Sequence, residues 1–294
     1  MRLVSYDDGA GDRLGIEAAA GRIWSSRALG RGLPASMTGL LEGGEMALAA
    51  LRSAARSATD AGRPGDVDPS TRIAPVPRPS KIIAVGLNYR DHVEEQGGRV
   101  KVPQSPVLFA KFPSAVIGHG ATVEWDPQLT EAVDLEAELA IVIGRLARRV
   151  SRDDAFDHVL GYTCDNDVTA RDLQYGDRQF VRGKSLDTFC PMGPAVVTRD
   201  ELPDPGSLAV RSWRNDELMQ ESNTSHLIFD VPYLVSFCSQ AFTLLPGDVI
   251  CTGTPSGVGY FREPKVLMGD GDVMSVEVEG VGRLTNPCRE LGRG

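Results

Sequence analysis

The sequence has no excess of basic residues, no long apolar run, no paired cysteines and few histidines. Lysine and arginine total 31 against 40 aspartates and glutamates, a formal net charge of -9. A general nucleic-acid binder needs a basic face to displace counterions, so that class is excluded. No uninterrupted apolar stretch approaches the ~18 residues of a membrane-spanning helix, and no membrane partner is expected. The first residues lack the apolar centre of a signal peptide. The five cysteines are odd in number, far apart and never in a Cys-x-x-Cys pair. A zinc knot and a disulfide framework are therefore poor readings, and reduced thiols in a cytoplasm fit best. The four histidines have no two at metal-ligand spacing. His158 sits in a helical stretch and reads as a surface or half-buried side chain, and His119 and His226 carry no partner signal and read as structural. Gly183-Lys184-Ser185 resembles the end of a phosphate-binding loop, but Arg178 stands where that loop needs glycine.

What the chain does have is length and apolar content. It runs to 294 residues with 41% hydrophobic residues, enough to bury a core in one or two domains. Residues 1–6 and 13–25 read as short strands. Residues 36–57 read as a helix with Ser36 as N-cap and a break at Gly43–Gly44. The five prolines of residues 62–81 read as a linker over the surface. From Lys81 onward, short β-branched runs alternate with glycine and proline. Only 151–159 and 231–242, the latter opened by Asp230 and Pro232, look helical. The expectation is a β-rich α+β protein, with a small amino-terminal α/β domain at 1–72 and a larger domain at 73–294.

The most informative segment is Val133–Gly144. In a strand, Leu135, Ala137 and Leu139 share one face, and Asp134, Glu136 and Glu138 share the other. The apolar run that follows carries the strand inward, where neighbouring carboxylates need a counter-cation. A hard dication such as Mg²⁺ or Mn²⁺ takes oxygen ligands of this kind. Asp167, Arg171 and Gln174 fall at i, i+4 and i+7, one face of a helix, and could hold a metal and a carboxylate ligand together.

Eight blocks in order give the chain a family likeness. They are VGLNYRDHVEEQG (85–97), SPVLFAKFPSAVIG (105–118), DLEAELAIVIGR (134–145), GYTCDNDVTARDLQ (161–174), RGKSLDTFCPMGPAVVT (182–198), NTSHLIFDVPYLVSFCS (223–239), PGDVICTGTPSGVG (246–259) and GDVMSVEVEGVGRLTNP (271–287). Together they resemble the fumarylacetoacetate hydrolase family. The resemblance implies a mixed β-sandwich roll and a Mg²⁺ or Mn²⁺ ion held by Glu136, Glu138 and Asp167, with Asp134 outside that set. It implies a small 2-oxo acid as substrate and a homodimer as the assembly. His92 and Glu95 match the family's lid pair, a general base and the carboxylate that orients it. Lys184 matches a lysine that stabilises a developing enolate. Arg171 and Gln174 match residues that reach the substrate or support the metal shell. Thr254, with Gly253 and the backbone N–H groups beside it, matches the cradle of the substrate carboxylate. The implied reaction is hydrolysis of a C–C bond in an acylpyruvate-type 2,4-dioxo acid. Decarboxylation of an oxaloacetate-like acid, or isomerisation of a 2-hydroxy-dienedioate, would use the same site. Residues 97–103 and 260–268 are the expected specificity loops.

Overall fold

The computed structural model describes residues 1–18, 21–98 and 100–292. Its centre is an eleven-stranded sheet. The main path runs Ile23–Ser25, Asp12–Glu17, Arg2–Asp7, Cys190–Thr198, Val159–Asn166, Ala137–Ile143, Val249–Cys251, Ile82–Gly86 and Val107–Lys111. Neighbours along it are antiparallel, except that Val249–Cys251 pairs in parallel with Ile82–Gly86. A five-stranded sheet packs beside it, in the order Glu217–Asn223, Ala209–Arg214, Val273–Val278, Gly282–Glu290 and Val123–Trp125. Strand content far exceeds helix, as the short β-branched runs predict. Among the described residues no helix is long and apolar enough to cross a membrane. All five cysteines are buried free thiols.

Two helices form where their caps predict. Ser36 accepts a hydrogen bond from the Gly39 N–H and opens the helix Met37–Asp60, which kinks at Gly44 with φ +57°. Asp230 accepts from the Tyr233 N–H and opens Val231–Ala241. A third expected helix is absent. Residues 151–159 hold only a single 3₁₀ turn, Ala155–His158, and Val159 already begins a central strand. Val159 pairs with Ile143 in the sheet instead of extending a helix.

The strand expected at 13–25 is two strands, Asp12–Glu17 and Ile23–Ser25, and residues 19 and 20 lie outside the described residues. The strand Arg2–Asp7 pairs with Cys190–Thr198, so its residues extend the central sheet. The proline-rich segment is not a free tether. Arg72–Ile73 pairs with Arg2–Asp7, Ala74 and Val76 are buried, and Ser5 donates to the Pro75 carbonyl. Isolated apolar residues between prolines pin it to the core.

Candidate active site

The acidic strand is interrupted. Val133–Asp134 and Ala137–Ile143 are separate pieces, and Leu135 and Glu136 form the break between them. Leu135, Ala137 and Leu139 are fully buried in the main apolar cluster. Asp134 does not join the other two acids. Its carboxylate accepts from Arg171 Nε and Nη2 at 2.9 and 2.8 Å, and from the N–H groups of Gly259 and Tyr260 at 2.9 and 3.0 Å. With the Leu135 N–H at 3.0 Å, five N–H groups hold it in place, and no substrate role is left for it.

Glu136, Glu138 and Asp167 do converge. Each offers an oxygen within 4.8 Å of the other two, and all three are buried. Glu138 lies opposite Asp165 on the neighbouring strand, and Asp167 follows one residue beyond that strand's end at Asn166. Asp167 is not on a helix with Arg171 and Gln174, since the helix Arg171–Asp177 starts only at Arg171. Arg171 and Gln174 occupy its first turn, and Arg171 Nη1 contacts both Gln174 Oε1 at 3.2 Å and Glu136 Oε1 at 2.7 Å.

The charges around this cluster do not cancel. Five buried carboxylates, Asp134, Glu136, Glu138, Asp165 and Asp167, stand against three buried cations, Lys111, Arg171 and Lys184. Two negative charges remain, the charge of one dication. Burial pushes Glu136 up, but Lys184 and Arg171 outweigh it and hold the carboxyl at about 2. Glu138 goes the other way. Burial, then Asp167, Asp165 and Glu136, raise it well above the usual carboxylate range. Burial likewise raises Asp165 to about 6, against the partial offset of Lys111. The two acids without an ion pair thus favour protons where no dication stands. The all-oxygen set of Glu136, Glu138 and Asp167 suits a hard ion such as Mg²⁺ or Mn²⁺. A second triple, Glu138, Asp165 and Cys251, includes a soft thiol and suits it less well.

Lys184 ends the short helix Phe180–Lys184 and is 3% exposed. Its ammonium donates to Glu136 Oε2, Asp167 Oδ2 and Thr169 Oγ1 at 2.8, 2.6 and 2.9 Å. All three of its hydrogens have acceptors, which fixes the ammonium beside Glu136 and Asp167. Lys111, unremarked in the sequence reading, is as buried as Lys184. It donates to Asp167 Oδ1 and to the Lys184 carbonyl, each at 2.5 Å. Burial alone would lower its pKa, but Asp167 and its neighbours raise it above the ordinary lysine value. The signal was a lysine inside the apolar run PVLFAK.

The Arg90–Glu95 helix carries the expected lid pair. His92 Nδ1 lies 2.5 Å from Glu95 Oε1, and Glu95 Oε2 accepts the Gly257 N–H at 2.8 Å. Glu94 is exposed and takes no part. His92, Glu136, Glu138, Asp167, Arg171, Gln174, Lys184 and Thr254 line one cavity of about 170 Å³. Val100 and Phe261 line it too, one from each expected specificity loop, and residue 99 lies outside the described residues.

The glycine-rich segment departs from the expected cradle. The Gly253 N–H donates to Glu138 Oε2 at 2.7 Å, so it fixes a metal-ligand candidate rather than a substrate carboxylate. Gly253 has φ +102°, and a Cβ there would lie 2.9 Å from the Asn88 Cβ and from the Val85 carbonyl oxygen. Thr254 Oγ1 donates to the Ala137 carbonyl at 3.1 Å and accepts from Gln220 Nε2 at 2.7 Å. Gln220 is fully buried, and its Oε1 also accepts the Ala137 N–H at 2.9 Å. It joins the two loops that shape the cavity, and its sequence context, LMQES, gave no hint of this.

Arg171 lines the cavity with its guanidinium engaged by Asp134, Glu136 and Gln174, a placement that fits support of the metal shell, one of its two expected roles. Arg171→Met leaves the buried Asp134 without its paired cation and Glu136 with Lys184 alone. Denaturant unfolding should show a loss of about 3–5 kcal/mol, the usual cost of breaking a buried pair from one side.

Known proteins resemble this chain over nearly its whole length. Residues 81–289 match the family model described as fumarylacetoacetate (FAA) hydrolase C-terminal. The chain is 41% identical to the mitochondrial oxaloacetate tautomerase fahd2 of Xenopus laevis, over 98% of this chain and 90% of that protein. It superposes on the fumarylacetoacetate hydrolase of Exiguobacterium antarcticum with a TM-score of 0.80 and 36% identity, covering 99% of both chains. It superposes on the maleylpyruvate hydrolase of Sphingobium sp. SYK-6, solved with manganese(II) and pyruvate, with a TM-score of 0.78 and 33% identity over 99% of both chains. Likeness of this extent, in sequence and in fold, establishes that the chain belongs to the fumarylacetoacetate hydrolase family.

Proposed function

We propose that this protein moves a proton between oxygen and carbon in a small 2-oxo acid, and that the reaction is keto–enol tautomerisation of oxaloacetate. The near full-length likeness to a named oxaloacetate tautomerase supports the substrate. The observation that carries the chemistry is that His92 lines the same 170 Å³ cavity as the three-carboxylate set. A cavity of this size suits a four-carbon acid, because drug-sized ligands need ~300 Å³ or more.

Mg²⁺ or Mn²⁺ would be held by Glu136, Glu138 and Asp167 and would act as a Lewis acid on the 2-oxo acid. Glu95 accepts a hydrogen bond from the His92 Nδ1–H and so leaves Nε2 for proton exchange with substrate. Nε2 removes the enol hydroxyl proton, and the electron pair of that O–H bond becomes part of the 2-oxo C=O bond. The C2=C3 π pair then takes the proton back from His92 at C3, which yields the keto acid. Lys184 offsets the negative charge that passes through the substrate oxygen. Phe109, Phe180 and Phe261 wall the cavity against water.

A second reading has one specific support. The same His92–Glu95 pair can activate water for C–C cleavage of an acylpyruvate-type acid, the reaction first expected from the sequence. Product analysis separates the two. With oxaloacetate and Mg²⁺ or Mn²⁺, the enol absorbance should decay at least about 100-fold faster than buffer alone, with mass conserved. Rapid cleavage of short acylpyruvates beside an unaccelerated enol decay would establish the hydrolase instead. Carbon dioxide release from oxaloacetate would mark a decarboxylase.

A further inference from the structure

The six-residue helix that carries His92 has no side-chain cap of its own. Something else must hold it, because so short a helix is unstable by itself. Glu95 ties its end to the Gly257 N–H. Its start is tied from a different element. Asp91 Oδ1 accepts the His92 N–H at 2.8 Å, and Asp91 Oδ2 accepts the Ser222 hydroxyl at 2.5 Å. His226 Nδ1 stands 3.2 Å from both Asp91 Oδ2 and Ser222 Oγ. Asp91 is 23% exposed at the side chain, so the contact with Ser222 is largely sheltered from water.

Ser222 belongs to the strand Glu217–Asn223, two residues beyond Gln220, which bonds both the Ala137 N–H and Thr254. One strand therefore braces the acidic segment and the His92 helix together. Just before that helix, Asn88 exchanges side-chain hydrogen bonds with the Phe229 backbone and donates to the Thr252 carbonyl.

We propose that Asp91 and Ser222 are positioning residues that fix the height of His92 over the acidic cluster. The inference rests on the reading of His92 as the proton carrier and adds to it what sets the imidazole's place. Asp91 reaches no substrate. Its carboxylate couples the backbone of His92 to the strand that also holds the metal-binding segment. A sub-ångström drift of a proton carrier is costly, since a 1 Å misplacement can remove about 100-fold in rate.

The test uses the full-length, Mn²⁺-loaded enzyme with enol-oxaloacetate and, in parallel, a short acylpyruvate. Ser222→Ala should lower kcat by about 10- to 100-fold with KM within about twofold. Ser222→Thr, which keeps the hydroxyl, should restore most of the rate. Asp91→Ala should match or exceed the loss, and the double variant should be no worse than Asp91→Ala alone, because both changes break one clamp. Hydrogen exchange across 89–96 should quicken in Ser222→Ala while the central strands stay protected. That measurement needs no turnover, so an inert wild type would overturn the proposed reaction and still leave the clamp tested. Losses that add, a KM rise at unchanged kcat, or unaltered exchange across 89–96 would overturn the positioning role.

Discussion

Glu138→Gln should abolish Mn²⁺ binding and lower turnover by well over 100-fold, while the metal-free protein gains stability at neutral and alkaline pH. The loss follows from the ligand set. Partners one shell out from a metal typically cost 10- to 100-fold when removed, and a carboxylate in direct reach of the ion must cost more. The gain follows from the charge balance. Glu138 is buried beside Asp167, Asp165 and Glu136, and its pKa is raised because the ionised form is disfavoured. Its folded-state pKa lies above the unfolded value, so the folded protein holds the proton more tightly. Metal-free wild type therefore loses stability as pH climbs above the ordinary carboxylate value. Glutamine carries no such proton and removes that slope. Thermal melts across pH, with and without Mn²⁺, read both effects. A variant that lost activity through misfolding would lose stability instead.

His92→Ala should cut kcat by about 10²- to 10⁴-fold, the usual contribution of a positioned general base, and leave Mn²⁺ affinity unchanged. Among the described residues His92 pairs with Glu95 and makes no ion pair with the acidic cluster. Glu95→Gln should produce a smaller loss. The amide can still accept from Nδ1–H, but it does not stabilise an imidazolium. It should also loosen the glycine-rich segment, since Glu95 Oε2 holds the Gly257 N–H. Steady-state kinetics with parallel Mn²⁺ titrations separate these effects. A His92→Ala enzyme with near-normal kcat would remove the imidazole from the mechanism.

The parts of the site legible in the sequence are those with local causes. Acids at alternate positions beside an apolar run named Glu136 and Glu138, and spacing chose Glu95 over Glu94. Ser36 and Asp230 announced their helices through cap chemistry that spans three residues. What escaped depends on contacts far apart in the chain. Lys111 meets Asp167 across 56 positions, and Gln220 meets Ala137 across 83. Arg171 meets Asp134 across 37 positions, a partner that its local spacing does not show. His226 read as structural, and only folding sets it beside Asp91, 135 positions away. The missing helix at 151–159 has the same origin, since long-range sheet pairing overrides a weak local preference.

The central claim is that Glu136, Glu138 and Asp167 together hold one hard dication next to His92. Anomalous diffraction from crystals grown with Mn²⁺ and oxalate tests it most directly. The expected result is a single Mn²⁺ peak per chain, bonded to an oxygen of each of the three carboxylates, with oxalate filling further positions in the cavity. A peak bound by Glu138, Asp165 and Cys251 instead, or no peak in this cavity at all, would contradict the account.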